Sequence, residues 1–393
     1  MNLREALGRA EERLTRADIT DAKTDAWLLL QHVTGITRAA YFMSPETELP
    51  YETEKRFFRL VEERATRRPL QYITGTQDFM GLTFWVNEHV LIPRQDTEIL
   101  VEKAIGILKE AFSGEERHMS GTSGKESECG GKKLTKILSE ESLSGGSRAA
   151  EKTNFQILDL GTGSGCIAVS LAAWCVRNSW PAEVMATDIS AEALLVARAN
   201  AETILAKELC EKSRKSEDKA GMIVTETGDE AEAGTKAAET GDEAEAGTAA
   251  VKMGDSAEAE TVTESLKNII RFGQGDLFEA TGREKFSLIL SNPPYIRSED
   301  IETLMPEVRD FEPRLALDGA GDGLALYRRI AAEAPAHLEQ GGRLLLEIGC
   351  DEADAVRELL AENGFCDIQV LKDYAGLDRV VYGIYEMRLV EGM

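Results

Sequence analysis

Residues 155–169 read FQILDLGTGSGCIAV, and this stretch decides the fold. An apolar run of strand length leads into a glycine-rich loop, and a helical pattern starts near Cys166. Glycines allow a tight turn and a close approach of a ligand to the backbone, while the start of a helix offers free amides. The stretch therefore predicts a strand, a ligand-binding loop and a helix, although a plain strand-to-helix turn can have this composition. The candidate loop residues are Gly161, Thr162, Gly163, Ser164 and Gly165.

The glycine spacing in this loop narrows the class of ligand. It is G-x-G-x-G, whereas the dinucleotide-binding fingerprint is G-x-G-x-x-G. A nucleotide-like ligand is expected, but the spacing argues against NAD.

Outward from this stretch, strand and helix patterns alternate. Helical patterns begin near 166, 191, 324 and 352, between apolar runs of strand length. Alternation of this kind predicts an α/β fold with a seven-stranded, mostly parallel sheet and helices on both faces. The predicted strands are FQILDL (155–160), EVMATDI (183–189), NIIRFGQGD (268–276), FSLILS (286–291), RLLLEIG (343–349), CDIQVLKD (366–373) and RVVYGIYE (379–386).

The N-terminal part of the chain has a different pattern. Residues 1–75 hold three helical patterns, with prolines at 45, 50 and 69 as breaks, which predicts a small helical domain. Residues 76–112 are predicted to connect it to the sheet. Alternation in LTFWV (82–86) and HVLI (89–92) indicates a short hairpin there, followed by a helix that starts near Asp96.

Two insertions interrupt this plan, so the sheet-forming domain is assigned to 153–393. Residues 113–152 are rich in Gly, Ser, Glu and Lys, which is typical of a flexible linker. Residues 206–265 are acidic, and ETGDEAEAGT occurs twice there, at 226–235 and 239–248. Such a segment lacks the apolar surface that would offset its ordering entropy, so we predict a disordered or loosely helical insertion. An acidic docking tail is the alternative.

Composition excludes several classes of protein. The net charge of -25 disfavours nucleic-acid binding, which depends on Lys and Arg neutralising phosphates. No apolar run approaches the roughly 18 residues of a membrane span. The charged N-terminus does not resemble a secretory signal, so a cytoplasmic location is expected. The six cysteines form no CxxC pair and histidines do not cluster, so neither a metal site nor a disulfide framework is expected.

Acidic residues follow the next two predicted strands. Asp188 ends the second strand, where a carboxylate can accept hydrogen bonds from both ribose hydroxyls of a nucleoside. A helix N-cap is the alternative role, although Ser190 also suits it. Asp276 and Leu277 lie at the end of the third strand, where a carboxylate could bind an adenine amino group and an apolar side chain could cover the ring. An ordinary loop acid and a core leucine are the alternatives.

The fourth strand ends in Asn292-Pro293-Pro294-Tyr295. Ligands of open α/β sheets bind beyond the carboxyl ends of the strands, so this turn is expected to face the same crevice as the glycine loop. The prolines stiffen the turn and remove amide donors. The Asn292 side-chain oxygen and the Pro293 carbonyl could then hold both hydrogens of a planar NH2 group and orient its nitrogen towards a methyl sulfonium. Termination of a strand by Pro-Pro is the alternative.

Taken together, the glycine loop, Asp188 and the NPPY turn resemble class I methyltransferases that use S-adenosyl-L-methionine. RRPLQYITGTQDFMGLTFWVNEHVLIPRQDTEILVE (67–102) resembles, more specifically, the peptide chain release factor glutamine N5-methyltransferases. Further matches lie at 311–330, 343–356 and 372–383. Gln95 stands where that family usually has proline. The resemblance implies a Rossmann-like methyltransferase sheet with a small N-terminal helical domain.

The resemblance also implies roles for residues. Gly161 to Gly165 and Asp188 would hold the cofactor, with Leu277 against the adenine. Asn292 would contact both cofactor and substrate, while Pro293, Pro294 and Tyr295 would shape the pocket for the substrate glutamine. The helical domain would bind a peptide chain release factor, and no general base is required because the proton can leave after methyl transfer.

Three other functions share parts of this pattern. A ribosomal-protein glutamine methyltransferase would have a different docking region in place of 67–102. A methyltransferase of exocyclic amino groups in nucleic-acid bases would carry a basic recognition region, which the sequence lacks. A non-catalytic binding protein would have no measurable affinity for S-adenosyl-L-methionine.

Overall fold

The computed structural model describes residues 1–112, 155–224 and 265–386. The insertion predicted at 113–152 lies outside these residues, and so does most of the one predicted at 206–265. Residues 206–224 continue a helix that begins at Ala191. The predicted boundary at 206 therefore falls inside a helix and does not coincide with its end.

Five helices form the N-terminal part of the chain, at Leu3–Thr15 (α1), Ala22–Thr34 (α2), Arg38–Met43 (α3), Tyr51–Ala65 (α4) and Leu70–Thr74 (α5). A capping box starts α1, in which Asn2 Oδ1 accepts from the Glu5 amide at 2.9 Å and the Glu5 carboxylate accepts from the Asn2 amide. Buried residues recur on one face of this helix at Leu3, Ala6, Ala10 and Leu14. They pack with buried residues of α2 and α4 in a core of their own.

A two-stranded hairpin follows, with β1 at Thr76–Phe79 and β2 at Leu82–Trp85. Met80 and Gly81 form the turn, and both have positive φ, 51° and 71°, as a type I′ hairpin turn requires. The prediction that residues 89–92 form the second strand is wrong. Val90 and Ile92 are buried by packing instead of strand pairing, in a small cluster with Tyr72 and Val196.

The rest of the described chain alternates between helices and strands. A 3-10 turn at Gln95–Thr97 leads into the first of these helices. In chain order the elements are α6 (Glu98–Phe112), β3 (Phe155–Leu160), α7 (Cys166–Asn178), β4 (Ala182–Asp188), α8 (Ala191–Val224), β5 (Ile270–Gln274), β6 (Phe286–Ser291), α9 (Pro306–Arg309), α10 (Ala325–Glu333), β7 (Leu338–Glu347), α11 (Ala353–Glu362), β8 (Phe365–Lys372) and β9 (Asp378–Tyr385).

Seven strands form the sheet in the order β5-β4-β3-β6-β7-β9-β8. The first five in this order pair in parallel, and β9 is antiparallel to both of its neighbours. The predicted seven-stranded, mostly parallel sheet is confirmed. After β3 the chain builds outward to β4 and β5, and then returns to place β6 on the other side of β3. The switch in strand order therefore lies between β3 and β6, where such sheets bind ligands.

Helices cover both faces of the sheet. Ile157 of β3 packs in one core with residues of α6, α7 and α8. Its neighbours Leu158 and Leu160 pack in a second core with residues of α10 and α11. Because successive side chains of a strand point to opposite faces, a continuous apolar run such as FQILDL supplies both cores. No helix in the described ranges is both long and apolar enough to cross a bilayer.

The two internal stretches that lie outside the described residues are both followed by strands of the sheet, so both join the fold at the end where the parallel strands begin. Residues 113–154 connect the end of α6 to the start of β3, and residues 225–264 connect α8 to the segment before β5. Both stretches therefore lead into the amino ends of parallel strands. Ligands of such sheets bind at the opposite end, beyond the carboxyl ends of the strands.

Candidate functional site

A cavity of about 400 Å³ lies beyond the carboxyl ends of β3, β4, β5 and β6. The segment between the hairpin and α6 closes one side of it, and the loop after β6 contributes to another. Ten of the twelve predicted site residues line this cavity: Gly161, Thr162, Gly163, Ser164, Asp188, Asp276, Leu277, Asn292, Pro293 and Pro294. Gly165 and Tyr295 are not among the lining residues.

A buried carboxylate of β3 fixes the glycine loop. Asp159 Oδ2 accepts from Thr162 Oγ1 at 2.6 Å and from the Ala168 amide at 3.2 Å. Burial raises the pKa of Asp159 to about 7, although its hydrogen bonds counter part of that rise. Two further amides of the loop, those of Gly161 and Thr162, donate to the Thr187 carbonyl at 2.9 Å. The loop is thus held against the neighbouring strand.

Glycine is required at the three positions of this loop for two different structural reasons. Gly161 and Gly163 have φ of 71° and 55°, and a Cβ atom added at either would meet nothing within 4 Å. These two positions keep the loop backbone accessible from the cavity. A Cβ at Gly165 would instead lie 3.1 Å from Ala197 Cβ and 3.2 Å from Val169 Cγ2. Gly165 therefore allows α8 to pack closely on the loop, which explains why it does not line the cavity.

Asp188 ends β4 beside this loop. Its Oδ2 accepts from the Gly163 amide at 2.8 Å, and its Oδ1 accepts from the Ser190 amide at 2.9 Å. Ser190 Oγ accepts from the Ala193 amide at 3.0 Å and supplies the side-chain cap at the start of α8. Because Ser190 takes the capping role, Asp188 remains a candidate for ligand binding. Burial is the main reason why the pKa of Asp188 is raised.

Asp276 lines the cavity, and its carboxylate is paired with a cation. Both of its carboxylate oxygens accept from the guanidinium of Arg329, at 3.1 and 3.0 Å. Arg329 also lines the cavity, and neither the residue nor its pairing was foreseen. Leu277 has a φ of 50°, which is uncommon for a residue with a branched side chain. This left-handed backbone follows β5 directly at the cavity.

The NPPY turn starts where β6 ends. Ser291 Oγ donates to the Leu160 carbonyl at 2.8 Å, so the ends of β3 and β6 are joined beside the glycine loop. Asn292 Nδ2 donates to Thr97 Oγ1 at 3.2 Å. Pro293 is buried and Pro294 half-buried, and both line the cavity.

Tyr295 lies behind the cavity wall. Its ring packs against the core that holds α10 and α11. Its backbone is held by a loop with close glycine contacts, because a Cβ at Gly319 would lie 2.8 Å from Tyr295 Cα and one at Gly323 would lie 2.6 Å from the Tyr295 carbonyl oxygen. The Ile296 amide donates to Leu317 at 3.0 Å, and the Gly319 amide donates to Ile296 at 2.8 Å. The segment LDGAGDG (317–323) thus fixes the turn from outside.

Sequence reasoning missed several residues that support the site. Thr97 and Glu347 lie beside Asn292. Asn200 of α8 joins the hairpin to the glycine loop, since its amide group exchanges hydrogen bonds with the Trp85 backbone and donates to the Ser164 carbonyl at 2.9 Å. Of the supporting residues, only the glycines of LDGAGDG could have been predicted from the sequence, because clustered glycines indicate close backbone approach.

Known proteins match this chain in its N-terminal region and over nearly its whole length. The sequence profile described as PrmC N-terminal domain matches residues 5–75. A release factor glutamine methyltransferase of Geobacter sulfurreducens is 31% identical over 381 residues, which make up 97% of this chain and 96% of the relative. The chain belongs to the release factor glutamine methyltransferase family. The resemblance predicted from residues 67–102 and the NPPY turn is therefore confirmed.

Further relatives extend this result. A family member from Cereibacter sphaeroides is 33% identical over 381 residues, 97% of this chain and 98% of the relative. Among solved structures, the release factor-specific protein-(glutamine-N5) methyltransferase of Alicyclobacillus acidocaldarius is 25% identical. It covers 77% of this chain and 100% of its own length with a TM-score of 0.31, so family membership rests on the sequence relatives.

Proposed function

We propose that this protein methylates the side-chain amide nitrogen of the glutamine in the Gly-Gly-Gln loop of peptide chain release factors, with S-adenosyl-L-methionine as the methyl donor. The NPPY turn carries this proposal. It lies at the cavity beside the glycine loop, on the strand adjacent to β3, in a chain of the release factor glutamine methyltransferase family. Donor and acceptor can then meet at the switch in strand order.

The cavity residues fit the cofactor. The cavity volume of about 400 Å³ is within the usual range for small-molecule sites. The open space at the Cβ positions of Gly161 and Gly163 admits a ligand against the backbone. Each oxygen of Asp188 makes one backbone hydrogen bond and keeps a lone pair for a ribose hydroxyl. When bound, the cofactor supplies a methyl group on a positively charged sulfur.

We assign the adenine end of the cofactor to Leu277 more readily than to Asp276. Leu277 contributes an apolar side chain at the cavity. The Asp276 carboxylate is occupied by a bidentate pair with Arg329, so an adenine amino group would have to share it. The pair instead supplies a polar, charge-balanced end of the cavity.

The substrate amide is a weak nucleophile because its nitrogen lone pair is delocalised. The Asn292 side-chain oxygen and the Pro293 carbonyl would accept its two hydrogens and orient the nitrogen towards the methyl group. These acceptors also stabilise the positive charge that develops on the nitrogen during transfer. No residue need remove a proton beforehand, because methyl transfer gives a cationic amide that is strongly acidic and then loses one of its two original N–H protons to give the neutral product.

We infer that residues 1–75 form the docking domain for the release factor. Phe42 and Met43 of α3 and Tyr51 at the start of α4 are largely exposed, at 75%, 84% and 73%. Exposed aromatic and Met side chains are enriched in protein-protein interfaces. Because translation termination takes place in the cytoplasm, we also place the protein there.

Mass spectrometry tests the proposed function. Incubation of a release factor with this protein and S-adenosyl-L-methionine is expected to add one methyl group to the loop glutamine. The control is a release factor in which that glutamine is replaced by glutamate, which offers no amide nitrogen. Methylation of the control, or an unmodified glutamine in the wild-type substrate, would contradict the proposal.

A further inference from the structure

Glu347 is a buried carboxyl group that the proposed chemistry does not use. It ends β7, and its exposed fraction is 1%. Ser291 of β6 pairs with Leu346 of β7, so the next residues along the two parallel strands are Asn292 and Glu347. The register of the sheet thus places this carboxyl group beside the NPPY turn, and its Oε2 has no hydrogen-bond partner in the described part of the chain.

Thr97 completes a cluster with these two residues. It is buried in the turn before α6, and its Oγ1 accepts from Asn292 Nδ2 at 3.2 Å. A hydroxyl has a single hydrogen to donate, and here it can turn to the Glu347 carboxyl group, which lies next to both Thr97 and Asn292. The hydroxyl therefore links the amide nitrogen of Asn292 to Glu347.

The ionised Glu347 carboxylate can only accept hydrogen bonds. It therefore favours the Asn292 orientation in which the NH2 group faces Thr97 and Glu347, and it disfavours the flipped orientation, in which an amide oxygen would face a carboxylate. With the nitrogen on this side, the side-chain oxygen points away from Glu347. This is the orientation that the acceptor role of Asn292 requires.

Charge balance with Arg379 does not account for Glu347. Within 4 Å, the carboxylates paired with Arg379 in the described residues are Asp373, at 3.0 Å, and Asp96, at 3.4 Å. Burial is the main reason why the pKa of Glu347 is raised to about 7. The charge of Asp96 adds to this rise, and the charge of Arg379 counters part of it. Tyr295, Tyr327 and Cys166 are further titratable groups near Glu347, and the Tyr327 hydroxyl donates to the Glu347 backbone carbonyl at 2.8 Å.

We propose that Glu347 and Thr97 are positioning residues that fix the side-chain amide of Asn292 with its oxygen towards the substrate glutamine. The inference rests on the proposed function for its catalytic consequence. The orientation of Asn292 itself can be measured without turnover.

Turnover provides the first test. Glu347→Gln presents an NH2 group that competes with that of Asn292, so kcat is expected to fall by about tenfold or more, while the dissociation constant of S-adenosyl-L-methionine stays within twofold. Thr97→Ser keeps the hydroxyl and is expected to retain at least ten times the kcat of Thr97→Val. Glu339→Gln is the matched control, an exposed glutamate at the other end of β7. Equal kcat in Thr97→Ser and Thr97→Val would overturn the proposal.

The pH profile of kcat supplies a readout that a purely structural role would not move. Protonated Glu347 carries an O–H donor and no longer favours the NH2 group of Asn292 over its side-chain oxygen, so wild-type kcat should fall as the pH drops through about 7. Glu347→Gln should lack this acidic limb. Asp159 has a raised pKa in the same range, so an unchanged limb in Glu347→Gln would assign the titration elsewhere and contradict the proposal.

NMR tests the orientation in the absence of turnover. In 15N-labelled protein, the side-chain NH2 signals of Asn292, identified by their loss in Asn292→Asp, should show slow exchange with solvent. Glu347→Gln should shift them and speed their exchange, and Glu339→Gln should not. Unaltered Asn292 signals in Glu347→Gln would overturn the inference, whereas a wild-type protein that shows the signals but does not methylate a release factor would contradict only the proposed function.

Discussion

At the residue scale, Asn292 combines a nitrogen held by Thr97 with an oxygen that the proposed function assigns to the substrate amide. Its nitrogen donates to Thr97 at 3.2 Å, and the residue lines the cavity directly after β6. Both neighbours of this side chain, Thr97 and Glu347, come from elements distant in sequence. The site could be predicted from residues that follow strands, such as Asp188 and Asn292. Glu347 could not, because its place depends on a strand register that one sequence does not reveal, and Thr97 could not, because its place depends on how the turn before α6 packs against the strand ends.

Removal of the Asn292 side chain should affect chemistry and leave folding intact. Asn292→Ala deletes an acceptor for the substrate amide, so kcat is expected to fall by about a hundredfold or more. The assay is single-turnover methylation of a release factor. Melting temperature serves as the control for folding, and a rate near that of the wild type would remove the assigned role.

Asp188 should control cofactor affinity. Asp188→Asn replaces a carboxylate that can accept hydrogen bonds from two ribose hydroxyls with a neutral amide. The expected loss of about 1.5–3 kcal/mol in binding free energy corresponds to a roughly tenfold to hundredfold larger dissociation constant. Burial raises the pKa of Asp188, and the ionised form is the acceptor, so wild-type affinity should weaken as the pH falls through that raised pKa.

Calorimetric titration with S-adenosyl-L-methionine across the acidic range measures both effects. Asp310→Asn, at an exposed aspartate paired with Arg309, is the control. If Asp188→Asn binds the cofactor as tightly as the wild type, Asp188 does not hold the ribose.

At the element scale, continuous apolar runs were predictable and turns were not. The predicted strands at 155–160 and 286–291 coincide with β3 and β6, because strands buried on both faces are apolar throughout. The hairpin was misplaced because its register depends on the turn at Met80-Gly81, where Met80 adopts a conformation that propensity disfavours. Alternation in HVLI resembled a strand but reflects burial in a loop.

Gln95, in the turn before α6, offers a prediction about stability. Arg94 before it is extended, with φ of -100° and ψ of 146°, which suits a residue that precedes proline. Proline also favours the first position of a helical turn. Gln95→Pro is therefore expected to stabilise the protein by about 0.4–1 kcal/mol, chiefly by restricting the unfolded chain.

Thermal and urea unfolding of Gln95→Pro and Gln95→Ala measure this effect. The alanine variant separates the loss of an exposed glutamine from the gain of a proline. A lower melting temperature for Gln95→Pro than for Gln95→Ala would show that the turn needs the amide or the φ of a non-proline residue.

At the scale of the whole molecule, a buried ion-pair network joins the N-terminal helices to the segment after the NPPY turn. Arg64 of α4 donates to Asp25 of α2 at 2.7 Å and to Glu307 of α9 at 3.1 Å. Arg67 also donates to Glu307, at 2.8 Å. The proposed docking domain is thereby attached to α9, which lies between the NPPY turn and the segment 317–323 that fixes Tyr295.

Loss of the central cation of this network should be costly. Arg64→Met leaves the buried carboxylate of Asp25 without this partner, while the half-buried Glu307 keeps Arg67, so the free energy of unfolding is expected to fall by about 3–5 kcal/mol. Burial already raises the pKa of Asp25, and without Arg64 the pKa should rise further. A raised carboxyl pKa favours the folded state at low pH, so the deficit should shrink on acidification and grow as the pH rises.

Urea unfolding at several pH values measures this change. Arg13→Met is the control, because the pair of Arg13 with Glu62 is exposed, and it should cost no more than about 1 kcal/mol. Similar losses in the two variants would show that the buried network contributes little to stability.

The long chain segments at 113–154 and 225–264 depart from the edge of the sheet opposite the cavity. Val224 closes a helix of 34 residues that begins beside the cavity, so it lies about 50 Å along the helix axis from that start. Fluorescent reporters or affinity tags could therefore be installed at these junctions without reaching the chemistry. The same separation offers natural sequences room to lengthen there while the reaction centre keeps its dimensions.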